Sequence, residues 1–488
     1  MEKESMKNVL VLGGTGAMGM YLVPELLKSG YKVFVTSRQK RISDSSNLVY
    51  LCGNANDLDW LANQIKNQEF IACFDFLYNS VAEFKNKSSR LLALSKQYFF
   101  ISSYRSYSLC STNVLKENNP LKSTDYIKYP ILKKDRYGYN KAEEENFLQS
   151  LNSKNWTIIR PTMTFSKDRF QFFFGDNFDV SRAVRGVKTA LPESVIHNRT
   201  NITYGKDVAK MLVLLVNNNL ALGEVFHTVG NDTMTWGEIA DIYTEVFGLE
   251  YTVVSDEDYK LACPDWMTMI DRFLDRPFSN EKILRVTGLQ EDELTNLKNG
   301  LKEAWSVSDL SKFIISQDLV AQPKFDILTN DKTNLMFINP KIREKYKLRR
   351  ETEEISIFTK IDNQFRICIE ANGWYIKDSQ EGKTTLAIQN VKDGQWLSFK
   401  FIDPLKPFEK RYINLTVESD NDVVLKPFVH FNGQHIKLLD AIRLYANQKQ
   451  TISIEINVSN LEFPYSHFSI TSTDFMKSTN LTFHNTKK

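Results

Sequence analysis

The most constraining feature of this chain is a glycine-rich stretch near its start, NVLVLGGTGAMG, which spans Asn8–Gly19. Its apolar residues Val9–Leu12 predict a short buried strand of a parallel sheet, and the amphipathic run Met20–Lys28 predicts a helix. A strand, a glycine turn and a helix in this order are typical of a dinucleotide-binding unit. The stretch therefore predicts a dinucleotide site at the start of an α/β fold, with a purely structural turn as the alternative.

Three glycines of this loop have different physical roles. Gly13 allows the tight turn, Gly16 lets the backbone approach a pyrophosphate, and Gly19 lets the helix pack close to the strand. The N-terminus of the helix then offers free N–H groups and a partial positive charge to the phosphates. The loop residues that we expect to bind the cofactor are Gly13, Thr15, Gly16, Ala17, Met18 and Gly19.

The end of the second predicted strand, Lys32–Thr36, discriminates between the two nicotinamide dinucleotides. An acidic residue there would accept the ribose 2′-hydroxyl of NAD. This chain instead has hydroxyl groups followed by cations, namely Thr36, Ser37, Arg38, Lys40 and Arg41. Such groups suit a 2′-phosphate through charge-assisted hydrogen bonds. We expect Ser37 and Arg38 to bind the cofactor and NADP to be preferred over NAD; a solvated basic turn is the alternative.

Further short apolar runs alternate with helical segments along the next part of the chain. The runs Asn47–Leu51, Phe70–Tyr78 and Tyr98–Ile101 predict three more strands, and Asp57 and Asp207 are expected to cap the helices that follow them. Such alternation predicts a Rossmann-like, doubly wound parallel sheet. In this α/β fold the ligand lies beyond the carboxyl ends of the strands.

A second informative pattern, YGYNK, occupies Tyr137–Lys141 at the start of a predicted helix. Tyr137 and Lys141 are four residues apart and so lie on one helical face. A lysine ammonium near a phenol favours the phenolate, so Tyr137 can act as a general acid or base near neutral pH. Ser103, at a strand end, is placed to hold the substrate oxygen. A surface pair without catalytic consequence is the alternative.

Together, the motifs of the region Lys7–Trp305 resemble the extended short-chain dehydrogenase/reductases of the NAD-dependent epimerase/dehydratase type. The motifs are GGTGAMG (Gly13–Gly19), FISSYRSY (Phe100–Tyr107), YGYNKAEEE (Tyr137–Glu145), TIIRPTMTFS (Thr157–Ser166), YGKDVAKML (Tyr204–Leu212) and GEVFHTVGNDTMTWGEIADIY (Gly223–Tyr243). The resemblance implies that Ser103, Tyr137 and Lys141 form the catalytic triad. The further cofactor-binding residues that it implies are Asn54, Asn79 and Pro161.

Two departures from the family pattern bear on the cofactor site and on the type of reaction. Asn54 stands where the family often has an adenine-binding Asp. Sugar 4,6-dehydratases carry an Asp-Glu pair directly after the catalytic hydroxyl, where this chain has Tyr104 and Arg105. Elimination of water needs a carboxylic acid and base there, which argues against a dehydratase. In detail the chain resembles a divergent branch met in bacterial surface-polysaccharide gene clusters.

An aromatic and arginine-rich segment, Lys167–Arg199, follows these motifs. The resemblance implies that a substrate subdomain begins here and grips a nucleotide diphosphate. Arginine pairs well with phosphate and aromatic rings stack on bases, so we expect Arg169 and Arg182 to bind substrate. A packed loop with a basic rim is the alternative. Arg272 and Arg276 are weaker substrate candidates, and we expect them to form surface ion pairs.

The sequence changes character after Trp305. From Ile355 onward, short β-branched and aromatic runs with a period near two recur between turn signals, which is typical of an antiparallel β-sandwich. The predicted domains are a Rossmann domain over 1–305, with a substrate subdomain over about 165–200 and 231–305, a linker over 306–350 and a sandwich-like domain over 351–488. The candidates for a sugar-stacking face in the last domain are Trp374, Trp396, Tyr465 and Phe468, with packing or dimerisation as the larger alternative.

Composition argues against several other functions. The formal net charge of +3 at pH 7 is too small to indicate a nucleic acid or an anionic membrane as a partner. The five cysteines form no CxxC pair, and no metal-binding pattern joins the six histidines. The first residues lack the apolar segment of a signal peptide, and no apolar run reaches about 18 residues. We therefore expect a cytoplasmic enzyme that needs no metal, with a homodimer as a possible assembly.

Three hypotheses follow from the sequence. The leading one is an NADP- or NAD-dependent epimerase or ketoreductase that acts on a nucleotide-linked sugar, with a place in surface polysaccharide biosynthesis. The second is a regulatory or scaffold protein that binds a dinucleotide without turnover. The third is a protein whose C-terminal domain binds glycans. Intact Ser103, Tyr137 and Lys141 favour the first hypothesis over the second.

Overall fold

A computed structural model describes most of the 488 residues of the chain. The described residues are 6–43, 45–109, 114–263, 270–358, 360–361, 365–368, 374–380, 383–388, 396–405, 410–431, 434–457, 465–472, 474 and 479–484. They form helices and strands that are numbered in chain order.

The helices are α1 (Gly19–Lys28), α2 (Leu58–Gln64), α3 (Val81–Leu94), α4 (Lys122–Asp125), α5 (Arg136–Ser150), α6 (Phe178–Val184), α7 (Gly205–Leu215), α8 (Trp236–Phe247), α9 (Asp256–Ala262), α10 (Glu281–Thr287), α11 (Leu297–Ser306), α12 (Ser311–Ile314), α13 (Ala321–Leu328) and α14 (Arg343–Phe358). Within the described ranges, none of them has the length and apolar character needed to cross a membrane.

The strands are β1 (Asn8–Leu12), β2 (Lys32–Ser37), β3 (Leu48–Cys52), β4 (Phe70–Asp75), β5 (Tyr98–Ile101), β6 (Trp156–Pro161), β7 (Met163–Phe165), β8 (Thr189–Pro192), β9 (Arg199–Thr200), β10 (Ile202–Tyr204), β11 (Glu224–Thr228), β12 (Met234–Thr235), β13 (Tyr251–Val254), β14 (Lys360–Ile361), β15 (Phe365–Cys368), β16 (Trp374–Gln380), β17 (Lys383–Ile388), β18 (Trp396–Leu405), β19 (Lys410–Ser419), β20 (Val423–Phe431), β21 (Gln434–Leu438), β22 (Ile442–Leu444), β23 (Gln450–Asn457), β24 (Tyr465–Thr471) and β25 (Asn480–His484).

The chain divides into two compact units, of which the first comprises Met1–Tyr251 and Trp266–Ile314. Its centre is a seven-stranded sheet in the order β11-β6-β5-β4-β1-β2-β3, and every neighbouring pair is parallel. The prediction of a Rossmann-like, doubly wound parallel sheet is confirmed. Strand β4 ends at Asp75, earlier than the predicted end at Tyr78.

Helices cover both faces of this sheet, which explains why its central strand β1 is apolar from Val9 to Leu12. Along β1, Val9 and Val11 belong to one buried core together with residues of α1 and α7. Leu10 and Leu12 belong to a second core together with residues of α2, α3 and α5. Because side chains alternate along a strand, a strand buried on both faces needs apolar residues at every position.

Helix starts test two capping predictions. Asp57 precedes α2 and accepts a hydrogen bond from the Trp60 backbone N, so the first prediction is confirmed. The second is wrong, because α7 already begins at Gly205 and Asp207 lies inside its first turn. The Asp207 carboxylate is instead hydrogen-bonded by the backbone N of Thr295, at 2.8 Å.

The second unit comprises Thr252–Asp265 and Ile315–Lys488. One antiparallel sheet has the order β14-β15-β18-β24-β20-β21, with β22 beside β20, and another has the order β16-β17-β25-β19-β23. Phe399 of the first sheet and Phe483 of the second lie 5.4 Å apart, ring to ring, in one shared core. The predicted all-β C-terminal region is confirmed as antiparallel sheets.

The candidate sugar-stacking residues of this unit separate in the structure. Phe468 is completely buried and stacks on Phe399, so it belongs to the core rather than to an exposed face. Trp396 is 37% exposed. The side chains of Trp374 and Tyr465 lie outside the described part of the chain.

The segment 306–350, for which the sequence predicts a linker, contains α12, α13 and the start of α14. Tyr346 of α14 donates a hydrogen bond to the buried carboxylate of Asp326 on α13, at 2.5 Å. The domain boundaries drawn from the sequence stay a prediction.

Candidate active site

The glycine loop after β1 is held tightly on its inner side. Gly13 has φ +73°, and its N–H donates to the hydroxyl oxygen of Thr36 at 3.0 Å. A Cβ atom on Gly13 would lie 2.9 Å from the side chain of Leu77, which follows β4. A positive φ and this close approach together require glycine. The loop is therefore fixed against the ends of β2 and β4.

The other two motif glycines differ in the space around them. A Cβ atom on Gly19 would lie 2.5 Å from the backbone of Gly14, so a side chain would push α1 away from the loop. On Gly16 it would meet only the carbonyl oxygen of Gly13, at 3.7 Å. Thr15 and Gly16 are exposed, whereas Gly19 is buried. The loop thus presents open backbone at Gly16, as the sequence predicts for an approaching pyrophosphate.

The start of α1 suits a bound anion. Met18 precedes the helix and contributes no capping hydrogen bond, and the first turn of the helix contains no acidic residue. Met18 and Ala17 are both half-buried. Helix N–H groups that lack a side-chain cap can be satisfied by phosphate oxygens.

The predicted adenosine-side residues lie at neighbouring strand ends. The backbone N of Gly53, directly after β3, donates to the carbonyl oxygen of Ser37, the last residue of β2. Arg38 and Asn54 follow these two strands, and both are exposed. Ser37 is buried and its hydroxyl accepts a hydrogen bond from the backbone N of Gln39. The structure thus brings Arg38 and Asn54 to the same edge of the sheet.

Two more predicted cofactor residues follow strands closer to the centre. Asn79 lies beyond the end of β4, is buried, and donates from Nδ2 to the carbonyl oxygen of Leu77 at 3.4 Å. Pro161 is the last residue of β6 and pairs with Thr228 of β11. Their role in cofactor binding stays a prediction.

Helix α5 carries the predicted catalytic pair. Asp135 caps the helix by accepting from the backbone N of Gly138, at 3.1 Å. Tyr137 lies in the first turn and is 36% exposed. Lys141 is almost fully buried, and its ammonium lies 3.1 Å from the carboxylate of Glu144. The predicted helix is confirmed, with Tyr137 at its open end and Lys141 facing the interior.

The surroundings of Lys141 include a carboxyl group that the sequence motif did not indicate. Burial raises the pKa of the Glu144 carboxyl, and the Lys141 ammonium opposes that rise. The Lys141 ammonium also lies 4.5 Å from the ring centroid of Phe100 and 5.9 Å from that of Tyr78. Lys141 is therefore oriented by an anion and two aromatic faces.

Ser103 lies on the segment against which the start of α5 packs. It follows β5, precedes a short 3-10 helix (Tyr104–Ser106), and accepts a hydrogen bond at Oγ from the backbone N of Arg105, at 3.2 Å. A Cβ atom on Gly138 would overlap the carbonyl oxygen of Arg105. Glycine at the centre of the YGY motif therefore lets Tyr137 approach the Ser103 segment closely.

Two residues next to Tyr137 were missed by the sequence analysis. The Tyr78 ring lies 5.5 Å from the Tyr137 ring, and the Tyr78 hydroxyl accepts a hydrogen bond from Asn140 Nδ2 at 3.1 Å. The Arg105 guanidinium lies 5.2 Å from the Tyr137 ring centroid. No motif pointed to Tyr78, and Arg105 was noticed only as a departure from the dehydratase pattern.

A buried network connects the ends of β5, β6 and β11 behind this site. Arg160 donates from Nε and Nη2 to the carboxylate of Glu145 on α5, and from Nη1 to the hydroxyl of Tyr107 at 2.5 Å. The Tyr107 hydroxyl also lies 2.5 Å from Nε2 of His227. Ser102 donates to Glu145 as well. These contacts hold the helix that carries Tyr137 against the strand ends.

The arginines of the substrate region differ in their surroundings. Arg169 forms an exposed pair with Asp176, at 2.9 Å. Arg182 is fully buried, and its Nε donates to the carbonyl oxygen of Lys188 at 2.6 Å. These contacts stay within the segment 169–188, and a substrate role for Arg169 and Arg182 stays a prediction.

Arg272 and Arg276 do form ion pairs, but inside the unit rather than at its surface as expected. Both contact Asp271, at 2.6 and 3.5 Å, and Arg272 donates to the hydroxyl of Tyr104 at 2.5 Å. With Trp236 they line a cavity of about 10 Å³. Burial raises the pKa of Asp271, but Arg272 and Arg276 outweigh it and the net pKa is lowered. The residue after Ser103 thus touches a buried group of cations.

Part of the chain matches a known protein family. The NAD dependent epimerase/dehydratase family matches residues 9–227. The chain is 26% identical over 254 residues to the chloroplast stem-loop binding protein of 41 kDa b of Arabidopsis thaliana, across 48% of this chain and 62% of that protein. It therefore spans less than two thirds of the length of that relative.

Two further proteins are similar to this chain. The chain is 28% identical over 245 residues to the decarboxylating sterol-4-alpha-carboxylate 3-dehydrogenase of Dictyostelium discoideum, across 42% of this chain and 73% of that protein. A crystal structure of dTDP-glucose 4,6-dehydratase from Bacillus anthracis in complex with NAD is similar at a TM-score of 0.49 and 18% identity, across 62% of this chain and 96% of that one. Residues 9–227 of the chain belong to the NAD-dependent epimerase/dehydratase family.

Proposed function

We propose that the first unit is an NAD(P)-dependent enzyme that acts on a nucleotide-linked sugar, as an epimerase or as a ketoreductase. The observation that carries this proposal is the arrangement at the carboxyl ends of the neighbouring strands β1, β4 and β5. The glycine loop follows β1, Tyr78 follows β4 and Ser103 follows β5, while α5 brings Tyr137 beside Tyr78. In parallel α/β sheets this edge is where ligands bind.

The glycine loop fits a dinucleotide by its shape. Its backbone is open at Gly16, its inner side is closed at Gly13 and Gly19, and α1 begins without a side-chain cap. When bound, a nicotinamide dinucleotide supplies or accepts a hydride. Arg38 at the end of β2 is exposed and is our reason to prefer NADP, because a guanidinium pairs with a phosphate through two hydrogen bonds.

The residues around α5 have separate roles in proton transfer and in orienting the substrate. We assign Tyr137, which reaches the open side, to move a proton to or from the sugar oxygen. We assign the Ser103 hydroxyl to orient that oxygen. We assign Lys141, one turn further along α5, to supply a positive charge to the phenol; its ammonium lies 3.1 Å from the carboxylate of Glu144. A rigid sheet edge can hold these groups in a reactive geometry.

The cations behind Tyr104 support a substrate that carries negative charge. Lys122 lies 3.0 Å from Asp135, Arg272 and Arg276 contact Asp271, and Arg272 also interacts with Asp179. Guanidinium and ammonium groups bind phosphates well, and the diphosphate of a nucleotide-linked sugar carries two of them. A place in surface polysaccharide biosynthesis remains part of this proposal.

The first test is mass spectrometry of the ligand released from freshly purified full-length protein. Retained NAD or NADH supports an epimerase, in which the same cofactor molecule serves every turnover. Absence of retained cofactor, with binding of added NADPH, supports a reductase. Failure to bind any dinucleotide overturns the enzyme assignment and leaves a scaffold protein.

The second test compares Tyr137→Phe with Tyr139→Phe, a matched change two residues along α5. Turnover is measured with a panel of UDP-, dTDP- and GDP-linked sugars. We expect Tyr137→Phe to abolish turnover while dinucleotide binding persists, and Tyr139→Phe to keep its activity. Equal activity of Tyr137→Phe and the unmodified protein would falsify the catalytic assignment and favour a non-catalytic dinucleotide-binding protein.

A further inference from the structure

A single buried carboxylate organises the junction between the Ser103 segment and α5. Asp135 accepts hydrogen bonds from Nε and Nη2 of Arg105, at 3.2 and 2.5 Å. It also lies 3.0 Å from the ammonium of Lys122 and caps α5 through the backbone N of Gly138. One carboxylate therefore joins three elements: the 3-10 helix after β5, α4 and α5.

The charge of this junction is well defined. The side chains of Asp135 and Lys122 are completely buried, and that of Arg105 is 21% exposed. Burial would raise the pKa of Asp135, but Lys122 and Arg105 outweigh it and hold that pKa below its usual value. A fully ionised carboxylate thus binds a two-pronged guanidinium in fixed geometry, since Arg presents its donors as a rigid fork.

Arg105 touches both groups on which the proposed reaction depends. Its backbone N donates to the Ser103 hydroxyl oxygen at 3.2 Å, and its guanidinium lies 5.2 Å from the ring centroid of Tyr137. A guanidinium within about 6 Å of a tyrosine ring centroid is attracted to the ring face. One residue thus contacts Ser103 through its backbone and Tyr137 through its side chain.

The backbone of Arg105 is itself fixed from two directions. The Lys122 ammonium donates a hydrogen bond to the Arg105 carbonyl oxygen. On the other side Gly138 packs against the same carbonyl, where a Cβ atom would also lie 2.5 Å from the Asp135 carboxylate. Movement of Arg105 would therefore disturb the cap of α5 and the Ser103 segment together.

We propose that Arg105 is a positioning residue, which holds the Tyr137 ring and the Ser103 hydroxyl in a fixed mutual arrangement through its contact with Asp135. It transfers no proton and binds no substrate in this role. The inference rests on the proposed function, because it assumes that Tyr137 and Ser103 act on one substrate. The inference gives a role to Arg105, which stands where sugar dehydratases carry an acidic residue.

The test uses the full-length chain with Arg105→Gln and Arg105→Lys. We expect Arg105→Gln to lower kcat by about 10- to 100-fold with little change in KM, because a small misplacement of a reacting group has effects of this size. Arg105→Lys keeps the charge but loses the fork, so we expect partial rescue. Unchanged kcat in a folded Arg105→Gln protein would overturn the inference.

A second measurement works even if no substrate is ever found. Hydroxyl-radical footprinting reports the solvent exposure of single tyrosine rings, and Tyr412, which is 53% exposed in the other unit, is an internal control. We expect labelling of Tyr137 to rise in Arg105→Gln while that of Tyr412 stays constant. Such a rise in a protein without turnover would mean that the proposed function fails and the positioning contact stands. Unchanged labelling of Tyr137 would contradict the contact itself.

Discussion

The ammonium of Lys141 lies 3.1 Å from a carboxylate oxygen of Glu144, one turn further along α5, and both side chains are almost fully buried. Removal of one partner leaves the other charge buried without compensation. We expect Glu144→Gln to lower the free energy of unfolding by about 3 kcal/mol, measured by urea denaturation. Glu143→Gln is the matched control at a half-buried neighbour, with an expected change within about 0.5 kcal/mol. Equal stability of the two variants would show that the pair contributes nothing.

The imidazole of His227 predicts a specific loss of stability in acid. It is fully buried between the Tyr107 hydroxyl and the Ser279 carbonyl oxygen, and burial lowers its pKa from 6.5 to about 4. Between pH 6.5 and pH 4, His227 is protonated in the unfolded chain but neutral in the folded chain. The free energy of unfolding therefore falls as the pH falls from 6.5 to 4. The expected loss is about 3 kcal/mol, at 1.36 kcal/mol per pKa unit.

The check on His227 is the free energy of unfolding measured at several pH values across this window. His227→Gln should be less stable near neutral pH, because it loses buried hydrogen bonds, but its stability should depend less on pH. His197→Gln changes an exposed histidine and should leave the pH dependence as it is. The same acid slope in His227→Gln would assign the effect to other groups.

Gly19 and Gly16 differ in the space around them, so alanine substitutions at these two positions should have different effects. Gly19→Ala places a Cβ atom 2.5 Å from the backbone of Gly14, so we expect a lower melting temperature and loss of dinucleotide binding together. Gly16→Ala meets only ordinary contact distances, so the melting temperature should persist while NADPH binding weakens. Fluorescence titration and thermal melting separate the two effects. Normal NADPH binding by Gly16→Ala would show that the glycine loop is not part of the NADPH-binding site.

Arg38 predicts the preference between the two cofactors. If its guanidinium binds the 2′-phosphate, Arg38→Gln should weaken NADPH binding by at least about 10-fold, because each hydrogen bond to a charged group contributes about 1.5 to 3 kcal/mol. NADH binding should stay the same, and Arg41→Gln, a nearby exposed cation, is the control. Titration of each variant with both cofactors gives the answer. An equal loss of affinity for NADH and NADPH would mean that Arg38 does not bind the 2′-phosphate.

Local features of this fold could be predicted from the sequence because short-range physics determines them. Both faces of β1 are buried, so its apolar run was informative, and the turn at Gly13 needs a positive φ. The cap at Asp57 follows from its neighbours in the chain. Asp207 was assigned wrongly as a cap for a tertiary reason, since its carboxylate is satisfied by Thr295, far away in sequence.

The surroundings of the candidate site could not be predicted in the same way. Tyr78 and Tyr137 are 59 residues apart in the chain, and they meet only because β4 ends early and α5 packs beside it. Arg276 was expected at the surface, yet it is buried against Asp271. A charged residue can be recognised as buried only when its partner is known, and the partner is set by the fold rather than by spacing.

The core on one face of β1 has a consequence for synthesis of the protein. It joins Val9, near the start of the chain, to Val208 on α7 and to Leu294. When the glycine loop leaves the ribosome, Val208 and Leu294, which cover this face of β1, have not yet been synthesised. Since chains emerge N-terminal end first, the nascent chain exposes one face of this hydrophobic strand until Leu294 has been translated. The first unit is thus expected to depend on chaperones during translation.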